Sequence, residues 1–123
     1  MNASFNARRG YAAASRPTKT PKNIEYDVIA QITHRIREAS NEGTTGFVSL
    51  VEALHDNRKL WDIFAVEMVD KNNPLPPDLK ARLSYLADFT RIHTGKVLAN
   101  EEPVDPLIEV NTAIMRGLRS GAT

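Results

Sequence analysis

Apolar residues recur every three or four positions through most of this chain, and four breakers cut the pattern into pieces. Pro21, the Gly43–Gly46 stretch, the Pro74–Pro77 stretch and Pro103–Pro106 are the punctuation. The first piece runs from about Lys22 to Glu42. Ile24, Val28, Ile32 and Ile36 recur at i+4, supported by Ile29 and Ala39. Thr20 can cap its start, Pro21 suits the first helical position, and Gly43 is a natural stop. The second piece runs from about Phe47 to Lys71. Phe47, Leu54, Trp61 and Met68 stand seven apart, and Leu50, Asn57 and Phe64 make a second row of the same spacing, which is a bundle-type seam. Asn72 and Asn73 can end this helix, and Pro74 prevents its return.

The third piece spans about Pro77 to Leu98, with Leu79, Leu83, Leu86, Thr90, His93 and Val97 on its face. Asp78 in its first turn is favoured by the helix dipole. The fourth starts at Asp105 as cap, with Pro106 next. Leu107, Ile108, Ile114, Met115 and Leu118 form its stripe, and Gly121 follows its end. No segment alternates with period two over the length of a strand. The fold class expected is all-α, a four-helix bundle over residues 22–123 preceded by a basic arm over 1–21, itself able to hold a short helix.

Length and composition narrow the classes. The 123 residues suit one domain, with 41% hydrophobic and 25% charged residues, an ordinary water-soluble mix. No apolar run approaches the ~20 residues that span a bilayer, so no membrane insertion is expected. The absence of cysteine excludes disulfides, thiolate zinc sites and cysteine nucleophiles.

Charge is more informative in its distribution than in its total. Residues 1–22 carry +5 through Arg8, Arg9, Arg16, Lys19 and Lys22, whereas the remainder carries −4. An acidic body is a poor surface for direct nucleic-acid binding. The arm reads as a tail or short helix, as a segment that orders on a partner through Phe5 and Tyr11, or as a basic, acid-free transit peptide. A secretory signal is not expected, because no apolar core follows its arginines.

No catalytic constellation is present. The sequence has no glycine-rich phosphate loop, no serine elbow and no paired-histidine zinc helix. Glu52-Ala-Leu-His55 places a carboxylate and an imidazole on one helical face, but carboxylate di-iron bundles need a second such motif, and none exists. His34 lies beside Arg35 and Arg37 and reads as solvated; His93 reads as a satisfied core or boundary residue. The expectation is no enzyme, no cofactor, no metal and no small-molecule substrate.

The oddities are amides in apolar rows. Asn57 interrupts the second seam between Leu50 and Phe64, and Asn111 interrupts the fourth stripe between Leu107 and Ile114. A buried amide without partners costs roughly 1–3 kcal/mol, so each should either bond a neighbouring helix or line a groove; the former is favoured. Trp61 sits at a core position, yet Trp and Arg are enriched at interface hot spots, and Arg58 lies one turn before it. Gly117 inside the fourth helix points either to close approach of another helix or to a loose final turn.

Four stretches carry a family resemblance: EYDVIAQIT at 25–33, ALHDNRKLW at 53–61, NPLPPDLKARL at 73–83 and DPLIEVNTAIMRGL at 105–118. Over roughly Tyr11–Leu118 the chain resembles the FlaF family, flagellar biosynthesis regulators of alphaproteobacteria, departing from it at Thr20-Pro21-Lys22, where such proteins often have Pro-Arg. The resemblance implies a non-enzymatic cytoplasmic protein, which removes the transit-peptide reading. It implies a chaperone-like binder of flagellin that promotes flagellin production or export. The alternative it implies is a post-transcriptional regulator acting with FlbT on flagellin messenger RNA. The family brings no established site residues; Asn57, Arg58, Trp61, Asn111 and Arg116, within the matching stretches, are the candidates for partner binding.

Overall fold

The computed structural model describes residues 21–121, with side-chain surroundings for 26–117. Four helices follow one another with no strand among the described residues: α1 over Pro21–Asn41, α2 over Phe47–Met68, α3 over Pro77–Leu98 and α4 over Asp105–Gly121. The four-helix, all-α expectation is met. Residues 1–20 of the arm, with the Thr20 cap, lie outside the described residues, as do Ala122 and Thr123.

Each boundary has a local cause. Gly43 ends α1 with φ +65°, a left-handed conformation that costs a residue with a Cβ about 1–2 kcal/mol. The chain then makes a 3-10 turn over Gly43–Gly46, closed in part by the Thr45 hydroxyl donating to the Glu42 carbonyl at 2.9 Å. Gly46 is buried against the preceding helix: a Cβ there would run into the Ala39 carbonyl oxygen. This contact sets how tightly α2 folds back along α1.

Helix α2 ends at Met68, three residues before the expected Lys71. The reason is a polar turn. The Asn73 side chain donates to the Glu67 carbonyl at 2.9 Å, the Asn72 amide donates to Asp70 Oδ1 at 2.9 Å, and the Asn73 amide donates to the Asp70 carbonyl at 3.1 Å. Side chains thus take over groups that another helical turn would have used. Helix α3 keeps its expected limits. At its end, Asn100 has φ +63°, and the amides of Asn100 and Glu101 donate to the carbonyls of Val97 and Lys96 at 2.9 and 2.8 Å. This is the paired-bond helix stop that favours Gly or Asn.

Helix α2 packs extensively on both α1 and α3, and α4 lies chiefly on α1, with only slight contact to α3. Ile29, Ile32 and Ile36 of α1, Ala53, Leu54 and Leu60 of α2, and Leu107 of α4 form the core with Val104 from the α3–α4 turn. The second-helix seam is real but shorter than expected: Leu54, Trp61 and Met68 are buried, Leu50 and Phe64 pack partly, and Phe47 is 52% exposed. The face of α3 is also shallower than its leucines suggest. Leu79 is exposed, Leu83, Leu86 and Val97 are half-buried, and the buried positions are Ala87, Thr90, His93 and Thr94. Gly117 is exposed, and nothing lies within 4 Å of where a Cβ would stand, so close approach of another helix does not account for it.

The two glycines predict opposite responses to the same change. Gly46→Ala should destabilise the fold by roughly 1–3 kcal/mol through the backbone clash. Gly117→Ala should stabilise it by about 0.5–1 kcal/mol through helix propensity alone. Urea unfolding of both variants beside the parent measures the two shifts.

Candidate functional site

The centre of the bundle is polar. Thr33 on α1, Asn57 and Trp61 on α2 and Asn111 on α4 are each 1% exposed or less, and they join through one carboxamide. The Trp61 Nε1–H donates to Asn111 Oδ1 at 2.9 Å. Asn111 Nδ2 donates to Thr33 Oγ1 at 3.0 Å and to Asn57 Oδ1 at 2.8 Å. The Thr33 hydroxyl donates in turn to the Ile29 carbonyl at 2.7 Å.

Donor and acceptor chemistry fixes the direction of this chain. An indole nitrogen can only donate, so Asn111 must turn its oxygen to Trp61. Its amide nitrogen then faces Thr33 and Asn57, and Asn57 must answer with oxygen. Both carboxamide hydrogens of Asn111 are used. The strain falls on Asn57, whose Nδ2 is buried with no hydrogen-bond partner. Three helices therefore meet at a single side chain, and any sliding of α4 along α1 or α2 would strand several buried groups together.

A second buried tie lies beside it. Arg35 Nη1 donates to Asp56 Oδ2 at 2.8 Å, with the Asp56 side chain fully buried and Arg35 29% exposed. Asp56 Oδ1 has no partner. Such a pair adds little net stability after desolvation, but separating its members is costly, so it holds the α1–α2 register. A third tie closes the α3–α4 connection. His93 is buried, its Nε2 lies 2.8 Å from the Pro103 carbonyl, and its ring stacks on Phe89 at 5.1 Å. A carbonyl only accepts, so Nε2 carries the proton.

The five candidate residues divide into two groups. Asn57, Trp61 and Asn111 come together inside the core; they are not on a surface a partner could touch without opening the bundle. Arg58 and Arg116 are exposed. Thr33 and the Arg35–Asp56 pair belong to the same interior and were not among the expected residues. A signal existed for Asp56: it follows Ala53 by three and precedes Leu60 by four, which is core spacing. Thr33 gave none, because a threonine between Ile32 and His34 reads equally well as surface.

His34 is solvated as expected: it lies 3.9 Å from Glu38 Oε1 with both side chains mostly exposed, a loose i,i+4 pairing. No group of three or more His, Asp or Glu residues able to hold a metal occurs among the described residues. An open groove of about 420 Å³ lies where the end of α1 meets the start of α4, lined by Arg37, Ser40, Asn41, Asp105, Ile108 and Glu109. None of the described helices is long and apolar enough to cross a membrane.

Fold and interior together define a small all-helical protein locked by a buried polar junction. The chain belongs to the FlaF family: the model of flagellar protein FlaF matches residues 7–118. It is thus a flagellum-related protein, and the match begins inside the basic arm. No curated protein and no solved structure matches the chain.

The junction makes a direct prediction. Asn111→Ala leaves the Trp61 indole N–H and Asn57 Oδ1 buried without partners and opens a void. The expected loss is roughly 3–5 kcal/mol. Urea unfolding followed by Trp61 fluorescence measures it, and a loss below about 1 kcal/mol would contradict the junction.

Proposed function

We propose that this protein is a cytoplasmic, non-enzymatic flagellar assembly factor that binds flagellin in a chaperone-like way and promotes its production or export. The observation that carries this reading is the FlaF family match over residues 7–118. The client implied by that family has terminal amphipathic helices that stay disordered before filament assembly. A helical bundle receives such a segment through apolar contacts at i, i+3, i+4 and i+7. The client orders as it binds, which offsets about 2–5 kcal/mol of the gross contact energy.

The interior residues support the fold in this account, and the contact surface is external. Tyr85 and Ile92 stand seven apart on α3 and are 69% and 52% exposed, the spacing of two anchors on one helical face. Arg58 and Arg116 are the exposed charged candidates. A second reading, regulation of flagellin messenger RNA with FlbT, is favoured by one feature, the +5 charge of residues 1–22. Its direct-RNA form should weaken steeply with salt, whereas apolar docking should not.

Isothermal titration with monomeric flagellin at low and high salt separates these readings. The expected result is binding with negative heat-capacity change and little salt dependence. Tyr85→Ser and Ile92→Ser together should weaken binding by about tenfold or more. No heat and no co-elution with flagellin would overturn the chaperone reading and move the test to FlbT and messenger RNA.

A further inference from the structure

Helix α3 carries a complete seam on its outer side. The helix packs on α2, touches α4 only slightly, and keeps its buried positions, Ala87, Thr90, His93 and Thr94, on one side. Ala81, Tyr85, Asp88, Ile92 and Gly95 lie on the opposite side, and all five are exposed. They follow one another at steps of 4, 3, 4 and 3, the two-position row of a heptad, so they share one line along the helix. From Ala81 to Gly95 is 14 residues, about 21 Å or four turns.

The seam has room for another helix. Tyr85 and Ile92 are its large side chains, and Ala81 and Gly95 stand one turn beyond them at either end. Nothing within the chain requires Gly95: a Cβ there would meet nothing within 4 Å, and its φ is not left-handed. Small residues at both ends let a second backbone come to the roughly 8–10 Å axis spacing of packed helices.

Charge selects the occupant. Helix α3 has four bases, Lys80, Arg82, Arg91 and Lys96, against two acids, Asp78 and Asp88, and is the one helix of the four with a net positive charge. It is a basic edge on a body that carries −4 over residues 23–123. Arg82 and Lys96 flank the seam on one side and Arg91 on the other, all exposed. Asp88 is answered within the helix by Arg91 at 3.7 Å, and Asp78 lies in the first turn, where the helix dipole favours it. A second copy of this chain fits poorly. Its α3 is equally basic, and a two-fold pairing that sets Tyr85 against Ile92, or each against itself, brings the two Asp88 side chains together.

We infer that this seam docks an amphipathic helix of a partner protein whose own apolar row is flanked by carboxylates. The inference rests on the reading of the chain as a binder of helical clients, and it names the chemistry of the helix that is taken. Tyr85 and Ile92 hold the partner through apolar contact, and Arg82, Arg91 and Lys96 select it. Exposed ion pairs each add little, so affinity should fall only about a few-fold from low to high salt.

Two stapled helical peptides of about 20 residues test this, sharing one leucine row and carrying either glutamate or lysine at every flanking position. Titrated into the full-length, isotope-enriched protein, the glutamate peptide should shift the amides of Ala81, Tyr85, Asp88, Ile92 and Gly95. It should bind about tenfold or more tightly than the lysine peptide. Arg82→Glu with Lys96→Glu should reverse that preference, which a folding defect would not do, and both positions are exposed. Shifts centred on another face, equal affinity for the two peptides, or a preference unmoved by the charge reversal would each overturn the inference. Shifts of the same amides on concentrating the protein alone would overturn it too, by making a second copy the occupant. Glutamate-peptide binding at α3 without binding of monomeric flagellin would support the seam and remove that client. Flagellin binding left intact by Tyr85→Ser with Ile92→Ser would overturn the seam and keep the client.

Discussion

The Asn111 carboxamide is the constraint on which the rest of this structure depends. A primary amide has one acceptor atom and two donor hydrogens, and here all three point at different residues on two other helices. Apolar packing through Leu107, Ile108, Ile114 and Met115 sets which face of α4 is buried but is non-directional about its fine register. The amide fixes that register, because each displaced contact leaves a buried polar group without water. The apolar core supplies the drive to fold, and the polar junction selects one arrangement of helices.

That division of labour explains which residues are left on the outside of the bundle. Trp61 and the two asparagines have the chemistry of an interface hot spot, but their hydrogen bonds are made within the chain. What remains outward is different in kind: Tyr85 and Ile92 on α3, the valines at the end of α2, and scattered arginines. Selecting one arrangement of helices falls to more than this junction. The Arg35–Asp56 pair and the His93–Pro103 contact serve the same end, at the α1–α2 register and at the α3–α4 connection.

Much of this architecture is legible in the sequence, for physical reasons that also explain the misses. The limits of α3 are readable because proline at one end cannot sit inside a helix and the other end has a polar, left-handed-tolerant Asn100. The end of α2 is not, because Val69 continues the apolar pattern while the Asn73 side chain caps the backbone at Glu67. Phe47 and Leu79 fit their seams by spacing and still lie exposed, since periodicity says which face a residue shares, not whether anything covers it. Asn57 and Asn111 stand out as amides in apolar rows. Their meeting does not, because residues 54 apart in sequence are paired only by the fold. Thr33 escapes notice because its hydroxyl is satisfied by its own helix before it serves another.

Hydrogen exchange at the Trp61 indole and Asn111 carboxamide, followed by NMR in the free protein and again with flagellin bound, tests the account at its centre. The account predicts that these protons exchange only as slowly as the whole fold opens, and that flagellin leaves them equally protected. Rapid exchange in the free protein would show that the junction is not the lock described here. Protection lost on adding flagellin would show that the client enters the bundle and that Asn57, Trp61 and Asn111 are partner contacts after all.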